Sequence, residues 1–155
     1  MSKAFDEYIS DKPEINIISK EDLSLLKIKL GKSHRKESDW AAIKDMLNSH
    51  DVITVNIRKP QRGIKSVNGV LCEDNSLIVF TNIDDCEKHI QYLHSTTTLD
   101  RFVNIGSLPF ESVIEISNQT GMKVYIDLVD EKNQRIIIYS PQLKKLETAI
   151  LADRN

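Results

Sequence analysis

Glycine is scarce in this sequence: five in 155 residues, at positions 31, 63, 69, 106 and 121, never clustered. A loop that cradles phosphate needs glycines close together, so that backbone N–H groups can close on the anion. Neither GxGxxG nor a Walker lysine loop occurs, and GxSxG and HExxH are missing as well. The chain therefore carries none of the short signatures of dinucleotide binding, P-loop hydrolysis, serine hydrolases or zinc proteases. Cysteine is rarer still. Cys72 and Cys86 are too few for a disulfide framework, and free thiols are the expectation. No apolar run approaches the ~20 residues that cross a bilayer. The N-terminus MSKAFDEYISDKPEIN is acidic and has no apolar h-region, so a cytoplasmic protein without membrane contact is expected. Neither sign of charge dominates: 21 Lys+Arg stand against 23 Asp+Glu. A net charge of −2 supplies no field toward nucleic acid, which is not the expected partner.

What is present is an ordinary globular composition, 40% apolar and 28% charged, on a chain long enough to bury one core. Residues 1–37 read as an N-terminal extension, partly ordered. Ser19 and Asp22 resemble a helix start there, but LLKIKL alternates like a strand, and the periodicity does not choose between them. Residues 38–155 read as the main domain. Ser38 is the expected cap of a helix whose Trp40, Ile43, Met46 and Leu47 share a face. Val52 to Ile57 alternate as a strand. Val67 to Cys72 and Leu77 to Thr81 read as two strands around the turn Glu73-Asp74-Asn75-Ser76. Arg101 to Ile105 is a short strand. Ser107 and Pro109 then open a helix that carries Phe110, Val113, Ile114 and Ser117 inward and stops at Gly121. Val124 to Leu128 and Arg135 to Tyr139 form a hairpin, and Ser140-Pro141 opens a last helix with Leu143, Leu146 and Ile150 inward. Hairpins mixed with crossovers predict an α+β single domain: a mixed, mostly antiparallel sheet with helices packed on it.

LIVFTNIDDCEKHIQYL, residues 77–93, looks most like a reactive cluster. Thr81 or Asn82 caps a helix there, and Asp84 and Asp85 favour its positive end. Ile83, Cys86, Ile90 and Leu93 form its apolar stripe, so Cys86 reads as a small core hydrophobe and His89 as lying at the stripe's edge. The alternative is a metal-dependent or thiol enzyme using Cys72, Cys86 and His89, with Asp85. It needs Cys72 to approach the helix of Cys86. The spacing Cys72-x13-Cys86-x2-His89-x4-His94 matches no zinc pattern, and the nearby aspartates oppose thiolate formation. No metal or other cofactor is therefore expected. His34, His50, His89 and His94 read as surface or edge histidines. Asp127, Asp130 and Glu131 read as solvated residues of a hairpin turn, and Ser107 as a helix cap rather than an anion site.

Several strings resemble the N-terminal domain of the SseB family, the bacterial "enhanced serine sensitivity" proteins. They are DWAAIKDMLNSHD leading into VITVNI, then LIVFTNIDDCEKH, SLPFESVIEISNQTGMKVYIDL and IIIYSPQLKKLETAI, between about Trp40 and Ala149. The resemblance implies an α/β domain and brings no catalytic residues with it. Where the family often has Asn-Pro after a strand, this chain has Asp127-Leu128.

Charge supplies the remaining clue. Residues 1–65 hold 13 basic against 10 acidic side chains, and the rest 8 against 13. Lys27, Lys29, Lys32, Arg35 and Lys36 follow one another without an acid, as do Arg58, Lys59, Arg62 and Lys65. The expectation is a non-catalytic binding or interaction module, regulatory or of the immunity type. Its loop of Arg58, Lys59, Arg62 and Lys65 would meet a protein partner that is acidic or phosphate-bearing. Whether the chain pairs as a homodimer is left open.

Overall fold

The computed structural model describes residues 17–31, 35–57, 60, 63–96, 103–128 and 135–150. Helices α1 (Lys20–Gly31) and α2 (Glu37–Asn48) precede strands β1 (Asp51–Ile57), β2 (Ile64–Val67), β3 (Val70–Glu73) and β4 (Ser76–Val79). Then follow α3 (Ile83–Thr96), β5 (Val103–Pro109), α4 (Phe110–Thr120), β6 (Lys123–Ile126), β7 (Arg135–Ser140) and β8 (Lys145–Ile150).

Six strands form the main sheet in the order β2-β3-β4-β6-β7-β8, and β1 and β5 form a separate antiparallel ribbon. Every neighbouring pair in the main sheet is antiparallel except β4 and β6, which run parallel. The connection between those two contains α3, β5 and α4, and parallel neighbours need such a crossover. An isolated bridge ties the ribbon to the sheet: Ile53 and Phe80 exchange N–H···O bonds of 2.7 and 3.0 Å. The fold is α+β, with a mixed, mostly antiparallel sheet and helices packed on it.

Side chains alternate across each strand and fill two cores. Cys72, Leu77, Val79, Val124, Ile126, Ile137 and Tyr139 face one side, against Leu26 of α1, Ile43 and Leu47 of α2, and Phe110 and Val113 of α4. Leu71, Ile78, Phe80, Ile136 and Ile138 face the other, against Ile53 and Val55 of β1 and Cys86 and Leu93 of α3. A sheet covered on both faces needs apolar residues on both, which is why LIVF and IIIY run without interruption. α1 is thus part of the first core through Leu26, which is fully buried.

Local signals explain most boundaries. The N–H of Asp22 donates to Ser19 Oγ at 3.1 Å, so the ambiguous segment is a helix with a serine cap. The N–H of Asp85 donates to Asn82 Oδ1 at 2.9 Å, making Asn82 the cap of α3. Gly121, at φ 76°, takes the left-handed turn that ends α4.

Other expectations fail for physical reasons. Ser38 is not the cap of α2. The cap position is Lys36, two residues earlier, and Asp39 reaches back to accept from the Lys36 N–H at 3.0 Å. The strand expected over Val67–Cys72 is broken by Asn68 and Gly69, at φ 51° and 82°, which form a two-residue hairpin loop between β2 and β3. Ser107 caps nothing, because it pairs with Ile53 inside β5, and Pro109 stands at the start of α4. The last helix is absent. Residues 141–144 turn, with Lys144 at φ 52°, and β8 follows. Ser-Pro opens turns as readily as helices, and the unpaired side of β7 supplies a partner that an isolated helix lacks. Leu143, expected inward, is 60% exposed.

Candidate binding groove

Helices α2 and α4 cover the middle of the sheet but stop short of its last strand. Between them and the β7–β8 turn lies a groove of about 490 Å³. Phe110, Tyr139 and Leu146 make its floor, and Trp40 and Ile114 its walls. Lys44, Lys144 and Lys145 stand at its rim with Glu111. Trp40 and Lys44, one helical turn apart on α2, face the groove together. Tyr139 is fixed by its hydroxyl, which donates to Asn118 Oδ1 at 3.0 Å. Arg35 packs on the wall residue Trp40: its guanidinium lies 5.6 Å from the Trp40 ring centroid, and Nη2 donates to Thr148 Oγ1 at 2.9 Å. An apolar floor with a few charged groups at the mouth fits one bulky apolar group attached to an anion.

The loop favoured on sequence lies almost wholly elsewhere. Arg58, Lys59 and Arg62 fall outside the described residues. Lys65 is exposed on β2, at the sheet edge opposite β8. The Lys27–Lys36 strip does not act as one open face. Lys27 Nζ lies 3.1 Å from Asp85 and 3.8 Å from Asp127, and Lys29 Nζ lies 3.4 Å from Asp39.

Those contacts reveal a buried polar network where parallel β4 and β6 end side by side. Asp127 is 5% exposed rather than solvated, and its backbone is left-handed at φ 61°. Its carboxylate accepts from the Thr81 N–H at 2.7 Å and from the Thr81 hydroxyl at 2.6 Å. Burial pushes its pKa above the usual carboxylate value, against the opposing pull of Lys27 and Thr81. For Lys27, burial opposes the charge, yet Asp127 and Asp85 together hold its ammonium above its usual range. The network docks α1 on the strand ends.

The cysteine–histidine cluster is likewise dispersed. Cys72 faces the first core, with its sulfur 3.8 Å from Met122 Sδ, while Cys86 packs in the second. The approach of Cys72 to the helix of Cys86 is therefore missing. Burial pushes the Cys86 thiol up to about 12, and raises the Cys72 thiol against the pull of Lys65. His89 is not at an edge but fully buried, with Nε2 hydrogen-bonded to Glu73 Oε2. Its ring lies between Phe80 and Tyr92, with centroids 5.7 and 6.1 Å away. A carboxylate–imidazole pair supplies two of the three members of a catalytic triad, but here no solvent reaches the imidazole. Among the described residues, no three His, Cys, Asp or Glu side chains group so as to hold a metal ion. Nor is any helix among them long and apolar enough to cross a membrane.

Two of these features were beyond sequence reasoning for the same reason. Lys44 and Lys144, a hundred positions apart, line the same groove, and Glu73 reaches His89 only because β3 and α3 pack together. Compared with family models, curated proteins and solved structures, the chain matches none of them.

Proposed function

We propose that this chain is a non-catalytic binding module that takes an acidic segment of a partner protein. One bulky apolar side chain of that segment fills the groove, and its acidic flanks meet Lys44, Lys144 and Lys145. The observation that carries the reading is the groove itself: three lysines and one glutamate around an apolar floor, on a chain whose net charge is −2. Positive charge is concentrated there against the trend of the molecule, which favours encounter with an acidic partner. The loop of Arg58, Lys59, Arg62 and Lys65 stays in this proposal as a second contact. Kinship with the SseB domain, a cytoplasmic setting and a regulatory or immunity role belong to it too, resting on the quoted strings and the composition alone. An enzyme using Cys72, Cys86 and His89 is disfavoured, since the three are buried and the two thiols face different cores.

Affinity capture with two charge-reversed proteins tests it. One carries Lys44→Glu, Lys144→Glu and Lys145→Glu, the other Arg58→Glu, Lys59→Glu, Arg62→Glu and Lys65→Glu. The groove variant is expected to bind the captured partner at least about tenfold more weakly, a loss of about 1.4 kcal/mol. Loss from the loop variant alone would move the site to the loop. A partner held equally by both variants and the wild type would overturn the reading.

A further inference from the structure

The groove lies beside the outer edge of β8, and that edge has a backbone of its own to offer. Among the described residues, β8 is hydrogen-bonded to a strand only on its β7 side. The pairing runs unbroken from Ser140↔Lys145 to Arg135↔Ile150, so no bulge twists the edge away, and KLETAI contains no proline. Exposed edges of this kind are templates for another strand unless they are short, bulged, covered or charged. Glu147 of β8 pairs with Ile138, while Lys145, the first residue of the strand, lines the groove beside the turn. Ile138 belongs to the core away from α2 and α4, which leaves Leu146 and Thr148 on the helix side.

One row of side chains crosses the sheet and ends at the groove. Cys72 pairs with Leu77, Leu77 with Val124, Val124 with Tyr139, and Tyr139 with Leu146. A seventh strand on β8 would continue that row, because directly opposed residues point to the same face. Its residue opposite Leu146 would project into the space between Trp40 and the β7–β8 turn. Its residue opposite Thr148 would meet Arg35, whose guanidinium already lies at Thr148 Oγ1.

We propose that the partner binds by strand addition: an extended segment pairs with the outer edge of β8, placing a bulky apolar side chain in the groove beside Leu146 and an acidic side chain two residues away, beside Arg35. This rests on the reading of the groove as the binding site and adds how the occupant is held. Backbone hydrogen bonds along β8 provide attachment, and the groove and Arg35 select alternate side chains, as strand-adding recognition does generally.

The probe is the synthetic peptide acetyl-Thr-Glu-Thr-Phe-Thr-Glu-Thr-amide, whose palindromic sequence serves a parallel or an antiparallel strand equally. Trp40, the single tryptophan of the chain, reports filling of the groove by its fluorescence. Amide exchange followed residue by residue by NMR reports pairing. With peptide up to about 1 mM, saturable quenching of Trp40 is expected. Every second amide of β8 should become protected, while those already bonded to β7 stay unchanged. Two N-methylated peptides complete the test, one blocked at Glu, Phe and Glu, the other at the four Thr positions that alternate with them. Only the set facing β8 should weaken binding, by about fivefold for each hydrogen bond removed. Quenching without alternate protection, or equal effects of both methylated peptides, would overturn strand addition and leave the groove reading standing. No response of Trp40 would overturn both.

Discussion

Asp127 is buried in a left-handed backbone conformation that aspartate tolerates better than most residues, and its carboxylate satisfies two donors of Thr81. Replacing it by alanine leaves the Thr81 N–H without that acceptor and puts a Cβ-bearing residue with no polar group at φ 61°. A loss of about 2–4 kcal/mol is expected in urea unfolding. Asp127→Asn keeps the shape and most of the hydrogen bonding, and it isolates the charge. The folded-state pKa of Asp127 is raised by burial, so the folded protein holds its proton over a range where the unfolded chain has released it. That contribution to stability is complete below the ordinary carboxyl value and is lost as pH rises through the raised one. Relative to wild type, Asp127→Asn should therefore gain stability as pH increases from about 4 towards neutrality. Urea midpoints of both proteins across that range check the sign. Asp127→Asn losing stability relative to wild type as pH rises would show that Lys27 outweighs burial. None of this was visible in the string YIDLVD, where an aspartate after a strand reads as solvated turn chemistry. Burial of the turn by α1 changes its role.

At the scale of elements, the local chemistry of caps and turns accounts for what was legible. Asn82 before IDDCEKH, Ser19 before KEDL and Gly121 after SNQT are short-range signals, and each acts where it stands. Asn82→Ala should cost about 1 kcal/mol of stability, because the Asp85 N–H loses its acceptor at the positive end of α3. Asn68-Gly69 was an equally local signal, and the continuous alternation of VNGVLC concealed it. A Cβ at Gly69 would touch nothing within 4 Å, so any cost of Gly69→Ala comes from its backbone at φ 82°. We expect a loss of about 1–2 kcal/mol with an unchanged denaturant slope. A larger loss or an altered slope would mean that the β2–β3 hairpin itself has come apart. β8 is the opposite case. Residues 145–150 carry Lys, Leu, Glu, Thr, Ala and Ile in an order that suits a short helix as well as an alternating strand. The hydrogen bonds along β7, six registered pairs in all, tip it to a strand.

For the molecule as a whole, a sheet buried on both faces puts its two thiols in separate cores. Neither should react with a thiol reagent in the native state, and no disulfide should form between them. Both should label at the rate of unfolding, matched by the loss of Trp40 packing; fast labelling of either one would show a local opening. The apolar fraction, the period-two strands and the hairpin turns were enough by themselves to determine an α+β domain with a mostly antiparallel sheet, because they act over a few residues. They equally determined that no familiar short catalytic signature is present. Only the tertiary structure decided which cations meet. It spent Lys27 and Lys29 on internal carboxylates, and around Trp40 it joined Lys44 of a helix to Lys144 of a distant turn and Lys145 of the strand that follows. It also put Glu73 on His89 and, among the described residues, made β8 an edge of the main sheet. Such meetings depend on how whole elements pack, and the periodicity of any one segment holds no record of its neighbours.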